Sequence, residues 1–228
     1  LLAFAEARRD GCGDSGVIDL VLRRSEDGGR TWGPLIMAAP SGGGTSGNPA
    51  PVVDRNTGAV VLPFTRNAAD AKEHAILRGD APARTVWITR SEDDGLTWTE
   101  PRDITAEASR PGWRWYATGP CHAIQLADGA LLVPANHSAS PDHADWHSHL
   151  LRSGDGGATW AVAHVQPGYT NESTVAELAD GRLYHNMRSY RGTNRRQVAW
   201  SGDGGQTWTE ARDDEALIEP VCQASALA

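Results

Sequence analysis

Two residues of this 228-residue chain stand out for chemistry they could share: Glu172, in Asn-Glu-Ser, and Arg188, in Asn-Met-Arg. Two short apolar runs lie between them, Thr174 to Leu178 and Leu183 to Met187, joined at Ala179-Asp180-Gly181. An Asp-Gly between such runs is a hairpin signal, because glycine accepts the positive φ that the turn demands. Folding that hairpin carries Arg188 back to Glu172. A three-residue loop with a bulge at Gly181 sets the two side chains opposite each other on one face. A two-residue loop leaves them one step out of register, on opposite faces. In both cases a group that can take a proton and a group that can hold an anion reach one sheet edge, away from the turn. The plainer alternative is an arginine that only neutralises its neighbour.

Other candidates are dispersed. Glu6 and Arg8 are two residues apart in an extended run, so they share a face. Asp14 sits in Gly-Asp-Ser-Gly, where an Asx turn is the plain alternative to a functional carboxylate. Asn48 follows a glycine-rich stretch, and Glu73 lies in a long connection over 65–83. His137, His143, His147 and His149 crowd one loop and the strand after it. Zinc would need three or four ligands in fixed geometry, and Ser-Ala-Ser-Pro-Asp-His-Ala-Asp-Trp offers little to fix them. We expect exposed loop histidines and no metal.

The elements that must position these residues are repeated. Four octets of the form Ser-x-Asp-x-Gly-x-Thr-Trp begin at residues 25, 91, 153 and 201, each after a strand-like run. Their aspartates, Asp27, Asp93, Asp155 and Asp203, are suited to accept hydrogen bonds from their own loops while each tryptophan packs beneath a strand. One fixed carboxylate per octet is too few for a hard cation, which takes six or more oxygens. Upstream of three octets lies a strand–turn–strand element, at 51–64, 123–135 and 175–187. Each unit therefore reads strand 1, tight turn, strand 2, variable loop, strand 3, octet, strand 4. Three units are complete; residues 1–6 supply a second strand before them, and 219–227 a first strand after them. Such repeats predict an all-β fold, a β-propeller. Alternating strand direction then sends the octets to one face. Glu6, Arg8, Asp14, Asn48, Glu73, His122, the histidine loop, Glu172 and Arg188 go to the other, where a site belongs.

Composition agrees with a turn-rich β protein: 25 glycines, 13 prolines and 9 tryptophans. The net charge of −8 argues against nucleic acid and membrane surfaces as partners. No apolar run is long enough for a membrane helix. Cys12, Cys121 and Cys222 are too few and too scattered for a disulfide framework, and are expected to fill β layers.

At this point the chain resembles the exo-α-sialidases (neuraminidases) of the bacterial and animal type. The resemblance is carried by the octets, which look like that family's Asp boxes, and by LLAFAEARRDGCGDSGVIDLVLRRSEDGG, GNPAPVVDRNTG, WYATGPCHAIQL, VPANH, NESTVAELADGRLYHNMRSY and EPVCQAS. It implies an incomplete six-bladed propeller over 1–228, one domain cut at both ends. It also implies retaining hydrolysis of terminal α-linked sialic acid from glycoproteins or glycolipids, without a cofactor, in a secreted or periplasmic parent. Glu172 matches the glutamate that activates a tyrosine nucleophile. A carboxylate nucleophile would be repelled by the carboxylate that sialic acid bears on its anomeric carbon, whereas a neutral tyrosine is not. Arg188 matches one of three arginines that clamp the substrate carboxylate, and Asp14 the acid/base. Glu6 and Arg8 match a pair at the sugar's O4, Asn48 an asparagine at the pocket rim, and Glu73 a residue reaching the glycerol tail.

The departures are specific. The first clamp arginine is expected before Leu1, and the third, with the tyrosine, after Ala228. None of Tyr116, Tyr169, Tyr184 and Tyr190 occupies the motif position. Residues 1–228 alone are therefore expected to be weakly active or inactive. Two alternatives remain: a lectin-like propeller that binds sialic acid without turnover, and an Asp-box glycoside hydrolase of other specificity.

Overall fold

A computed structural model describes residues 1–227 of the chain. Its strands fall into consecutive units in chain order. The first holds β1 (Leu2–Arg8), β2 (Ile18–Arg24) and β3 (Ile36–Ala39). The second holds β4 (Thr45–Gly47), β5 (Val52–Val53), β6 (Val60–Asn67), β7 (Thr85–Ser91) and β8 (Arg102–Asp103), with short helices α1 (Glu73–Arg78) and α2 (Thr105–Ala108). The third holds β9 (Trp115–Thr118), β10 (Ile124–Gln125), β11 (Leu131–Ser138), β12 (Trp146–Ser153) and β13 (Ala161–Val165). The fourth holds β14 (Thr170–Glu177), β15 (Leu183–Ser189), β16 (Arg195–Ser201) and β17 (Arg212–Ile218). Within each unit the pairing is antiparallel, in chain order except that β4 and β5 both pair with β6, and β9 and β10 both pair with β11; a single parallel bridge, Ile18 to Thr45, ties the first unit to the second. These are propeller blades, as the repeats predict.

The blades pack face to face, and the strand period of two explains their composition. Along β6, Leu62 and Phe64 point toward Leu20 and Leu22 of the first blade, while Val61 points toward Leu131 and Val133 of the third. Along β11 the intervening Leu132 turns the other way, toward Val175 and Leu183. A strand buried on both faces reads as a continuous apolar run.

The first strands of the second and third blades are broken where the site will be. Gly47 faces Thr65 and Val52 faces Val61, so one extra residue is accommodated around Asn48-Pro49-Ala50-Pro51. Three extra residues are accommodated between Thr118 and Ile124. Proline has no N–H to give a ladder, and the breaks lift Asn48 and Cys121 out of the sheets. Two expectations fail here. The 65–83 connection is not all loop, since Glu73 opens α1. Residues 219–227 form no strand; a first strand is held by the second strand of its own blade, as β14 is by β15, and among the described residues none pairs with 219–227 in this way.

In each octet the aspartate is enclosed by its own loop. Asp155 accepts from Thr159 N at 2.9 Å, Thr159 Oγ1 at 2.6 Å and Ser153 Oγ at 2.8 Å, and Asp27, Asp93 and Asp203 repeat the pattern. The threonine bonds hold the carboxyls of Asp93, Asp155 and Asp203 down at about 2, and that of Asp27 lower still. Trp160 is buried between blades, and Trp98 meets Phe4 of the first blade edge-on at 5.8 Å. Trp32 departs from the expectation and is 40 % exposed.

The histidines depart further. His137 lies on β11 and His149 on β12, and both are buried, because Trp113 from the preceding loop stacks on His137 at 3.4 Å. Their Nδ1 atoms are 3.0 Å apart, and His149 Nε2 is 2.8 Å from Tyr116 Oη. His185, on β15, is also fully buried. Among the described residues no three metal-ligating side chains cluster. Burial holds all three rings neutral, at about 3 for His137 and His185 and well below the usual range for His149.

A pH dependence follows. An unfolded histidine takes a proton near pH 6.5, whereas these three stay neutral in the fold. Stability therefore declines as pH falls below about 6.5, with a slope of up to three protons, and the decline continues until the folded rings themselves titrate. The aspartate contribution is lost at the acid end of that decline, between the unfolded carboxylate range and about pH 2. The urea midpoint should be lower at pH 5.0 than at pH 7.5; equal midpoints would contradict the burial of neutral histidines.

Candidate active site

The hairpin fixes its own register. Gly181 takes φ 82°, its N–H reaches Leu178 O at 2.8 Å, and Leu178 N reaches Arg182 O at 2.8 Å, which closes a loop of three residues, Ala179 to Gly181. Glu177 then faces Leu183 and Thr174 faces Asn186. Counting outward brings Glu172 opposite Arg188, with Arg188 Nη1 donating to Glu172 Oε2 at 2.7 Å. A register shift between Thr170 and Ser173 bulges the strand beside the glutamate, and the Arg188 guanidinium rides over the Tyr190 ring at 5.1 Å. Burial pulls the Arg188 pKa down, but its hydrogen bond to Glu172 together with the fields of Tyr190, Glu172 and Cys222 more than offsets it, so the group is held above its ordinary value.

The pair opens onto a cavity of about 1070 Å³ between the blades. Glu6 and Arg8, from the end of β1, line it, and so do Asp14, Asn48 and Glu73. Every residue singled out for the site therefore faces one space with Glu172 and Arg188. Arg8 binds Glu6 through Nε and Nη2 at 3.1 and 2.7 Å, and its Nη1 reaches Asp14 at 2.8 Å and Cys12 O at 2.6 Å. Asp14 itself is 88 % exposed, on the loop at the mouth. Glu6 Oε1 accepts the Asn48 main-chain N–H at 2.8 Å. Burial pushes the Glu73 carboxyl up, against the field of Arg84. The three cysteines are free and exposed, not packed in layers. Cys12 and Cys121 sit in turns where no sheet covers them, and Cys121 lines the cavity.

The sequence reading misses two features. Arg84 lines the cavity while only 5 % exposed. Behind the hairpin, Arg196 and Glu219 form an ion pair at 3.0 Å with both side chains buried. Glu219 also accepts the Ser189 main-chain N–H at 3.0 Å, while Arg196 donates to Asn186 Oδ1 at 2.5 Å and Cys222 O at 2.6 Å. The pair braces the strand that carries Arg188. The only local signal was the Glu-Pro-Val-Cys run; Arg196 reads as one more charge on a strand.

The family model described as "BNR repeat-like domain" matches residues 1–227. The chain is 36 % identical to Sialidase-3 of Bos taurus, over 98 % of this chain and 57 % of that protein. It is 32 % identical to an exo-alpha-sialidase of Aspergillus fumigatus, over 100 % and 57 %. Among solved structures the Hadza microbial sialidase Hz136 superposes with a TM-score of 0.86 at 31 % identity, over 99 % of this chain and 47 % of that one. The chain thus spans about half the length of the relatives it matches.

Removing one member of a buried ion pair strands the other. Glu219→Ala should cost about 3–5 kcal/mol in urea denaturation, and combining Arg196→Met with Glu219→Leu should recover a large part of it. A loss below about 1 kcal/mol in the single variant, the range of an exposed pair, would contradict the bracing role.

Proposed function

Because the chain belongs to the BNR repeat-like family, we propose that its cavity is the sialic-acid site of a retaining exo-α-sialidase, acting on terminal α-linked sialic acid of glycoconjugates. The observation that carries this reading is the Glu172–Arg188 pair at 2.7 Å, facing one cavity with Asp14. Sequence similarity to sialidases over the whole chain supports it.

Arg188 receives the sugar's carboxylate. Its Nε is buried and without a partner among the described residues, so the guanidinium keeps a donor for a second acceptor while Nη1 holds Glu172. A charge-assisted contact of this kind is worth about 1.5–3 kcal/mol. Glu172 is the base for a tyrosine nucleophile supplied as in the family. Asp14, exposed at the mouth and tethered by Arg8, protonates the leaving oxygen and then activates water. Glu6 and Arg8 meet O4, Asn48 the neighbouring substituent, and Glu73 the glycerol tail.

In the full-length gene product, assayed with a fluorogenic sialoside, Glu172→Gln and Asp14→Asn should each lower kcat by about 10²–10⁴. Arg188→Met should raise KM by about tenfold or more. Proton NMR of the first product should show the retained anomer. Wild-type rates in the carboxylate variants would leave only binding, and an inverted product would exclude the nucleophile mechanism.

A further inference from the structure

Arg84 is a buried cation without a counter-ion. Among the described residues it makes no ion pair within 4.0 Å, unlike Arg8, Arg188 and Arg196. Neutral oxygens hold it instead: Nε donates to Asn67 Oδ1 at 2.9 Å, and Nη1 to Asn48 Oδ1 at 2.9 Å and Tyr116 O at 3.0 Å. Its plane lies over Trp115 at 4.3 Å. Burial pulls it down to about 10 against the fields of Glu6, Glu73 and Asp14. An uncompensated buried charge is costly, so the position calls for an account.

Asn48 supplies one. Its backbone is held at φ 55°. Its main-chain N–H goes to Glu6, its main-chain oxygen accepts from Thr118 Oγ1 at 2.5 Å, and its side-chain oxygen accepts from Arg84 and, at 3.4 Å, from Thr65 Oγ1. Among the described residues only Nδ2 is left without a partner, and Asn48 lines the cavity. A guanidinium donates and never accepts, so its contact with the amide fixes oxygen inward and nitrogen outward. A neutral donor in place of Arg84 would specify this less firmly. A Cβ built at Gly47 would lie 3.1 Å from Glu6 Oε1 and 3.2 Å from Arg84 Nη2, so carboxylate and guanidinium both approach the backbone position that precedes Asn48.

We propose that Arg84 is a positioning residue that locks the Asn48 amide with its N–H₂ toward the ligand, and so selects a sugar bearing a carbonyl acceptor at C5. This rests on the sialic-acid reading above. There Glu6 and Arg8 meet the hydroxyl on C4, and Asn48 is bonded to Glu6. Of the carbons beside C4, C3 bears only hydrogens in a sialic acid and C5 bears the acylamino group. The Asn48 N–H₂ therefore meets the acyl oxygen.

The test compares the 2,3-dehydro analogues of N-acetylneuraminic acid and of its deaminated form, which carries a hydroxyl at C5, by titration calorimetry on the full-length protein. Wild type should prefer the N-acetyl analogue by about tenfold, the scale of one well-formed hydrogen bond. Asn48→Ala and Arg84→Met should each bring that ratio near one, and the double variant should go no further, since one acts through the other. Losses that multiply in the double variant, or a wild-type ratio in Arg84→Met, would overturn the proposal. Asn48→Asp guards against misfolding. It keeps an oxygen for Arg84 and replaces only the outward N–H₂, so it should lose the ratio with the fold intact; a retained ratio would overturn the proposal too. Binding with the expected ratios but no sialoside turnover would sink the catalytic reading and leave this one standing. A wild type that binds neither analogue overturns both.

Discussion

Glu172 and Arg188 meet because of a turn at the other end of their hairpin. Gly181 adopts a positive φ, the loop closes on three residues, and the antiparallel ladder carries that choice up the strands to a contact of 2.7 Å. A strand has a side-chain period of two, so one residue more or fewer in the loop would send the two groups to opposite faces. The buried Arg196–Glu219 pair works on the same hairpin from behind, through the Ser189 N–H and the Asn186 side chain. Local turn chemistry and a long-range ion pair thus converge on one geometry.

The cavity collects charge in near balance. Glu6, Asp14, Glu73 and Glu172 face Arg8, Arg84 and Arg188, most of them in mutual contact. Charges gathered in a partly buried space are tolerable only when paired or hydrogen-bonded, and the pairs account for the order of the walls. On the proposed reading, an acidic ligand enters among guanidinium groups that carboxylates already hold. Arg188, whose Nε has no partner among the described residues, can accept it without first losing Glu172. In an acidic protein, a cavity whose arginines nearly balance its carboxylates suits such a ligand better than the surface at large.

Local patterns in the sequence disclosed more of this than long-range ones. The octets, the Asp-Gly turn and the two-residue spacing of Glu6 and Arg8 are written within a few residues each, and the blade units follow from them. The loop length at Gly181 was one of two that the sequence allowed, and the fold takes the three-residue one. Arg84 was invisible: it stands in Ala-Pro-Ala-Arg-Thr-Val, where an arginine reads as solvated, and its burial comes from Trp115 and Tyr116, some thirty residues later. Glu219 was hidden in the same way, since its partner lies across the blade. His137 and His149 looked like loop residues because Trp113, which covers them, precedes them by an entire strand pair. The broken first strands were legible only as prolines; that the breaks hand Asn48 and Cys121 to the cavity is a tertiary fact.

On the proposed reading, a guanidinium on one strand and carboxylates on others meet a single acidic sugar in one cavity. A crystal structure of the protein with the 2,3-dehydro analogue of N-acetylneuraminic acid tests this most directly. The ligand carboxylate should lie against Arg188, with Glu172 beneath the anomeric carbon and Asp14 on the opposite side. Density for the sugar away from Arg188, or with Asp14 and Glu172 both remote from the ring, would contradict it.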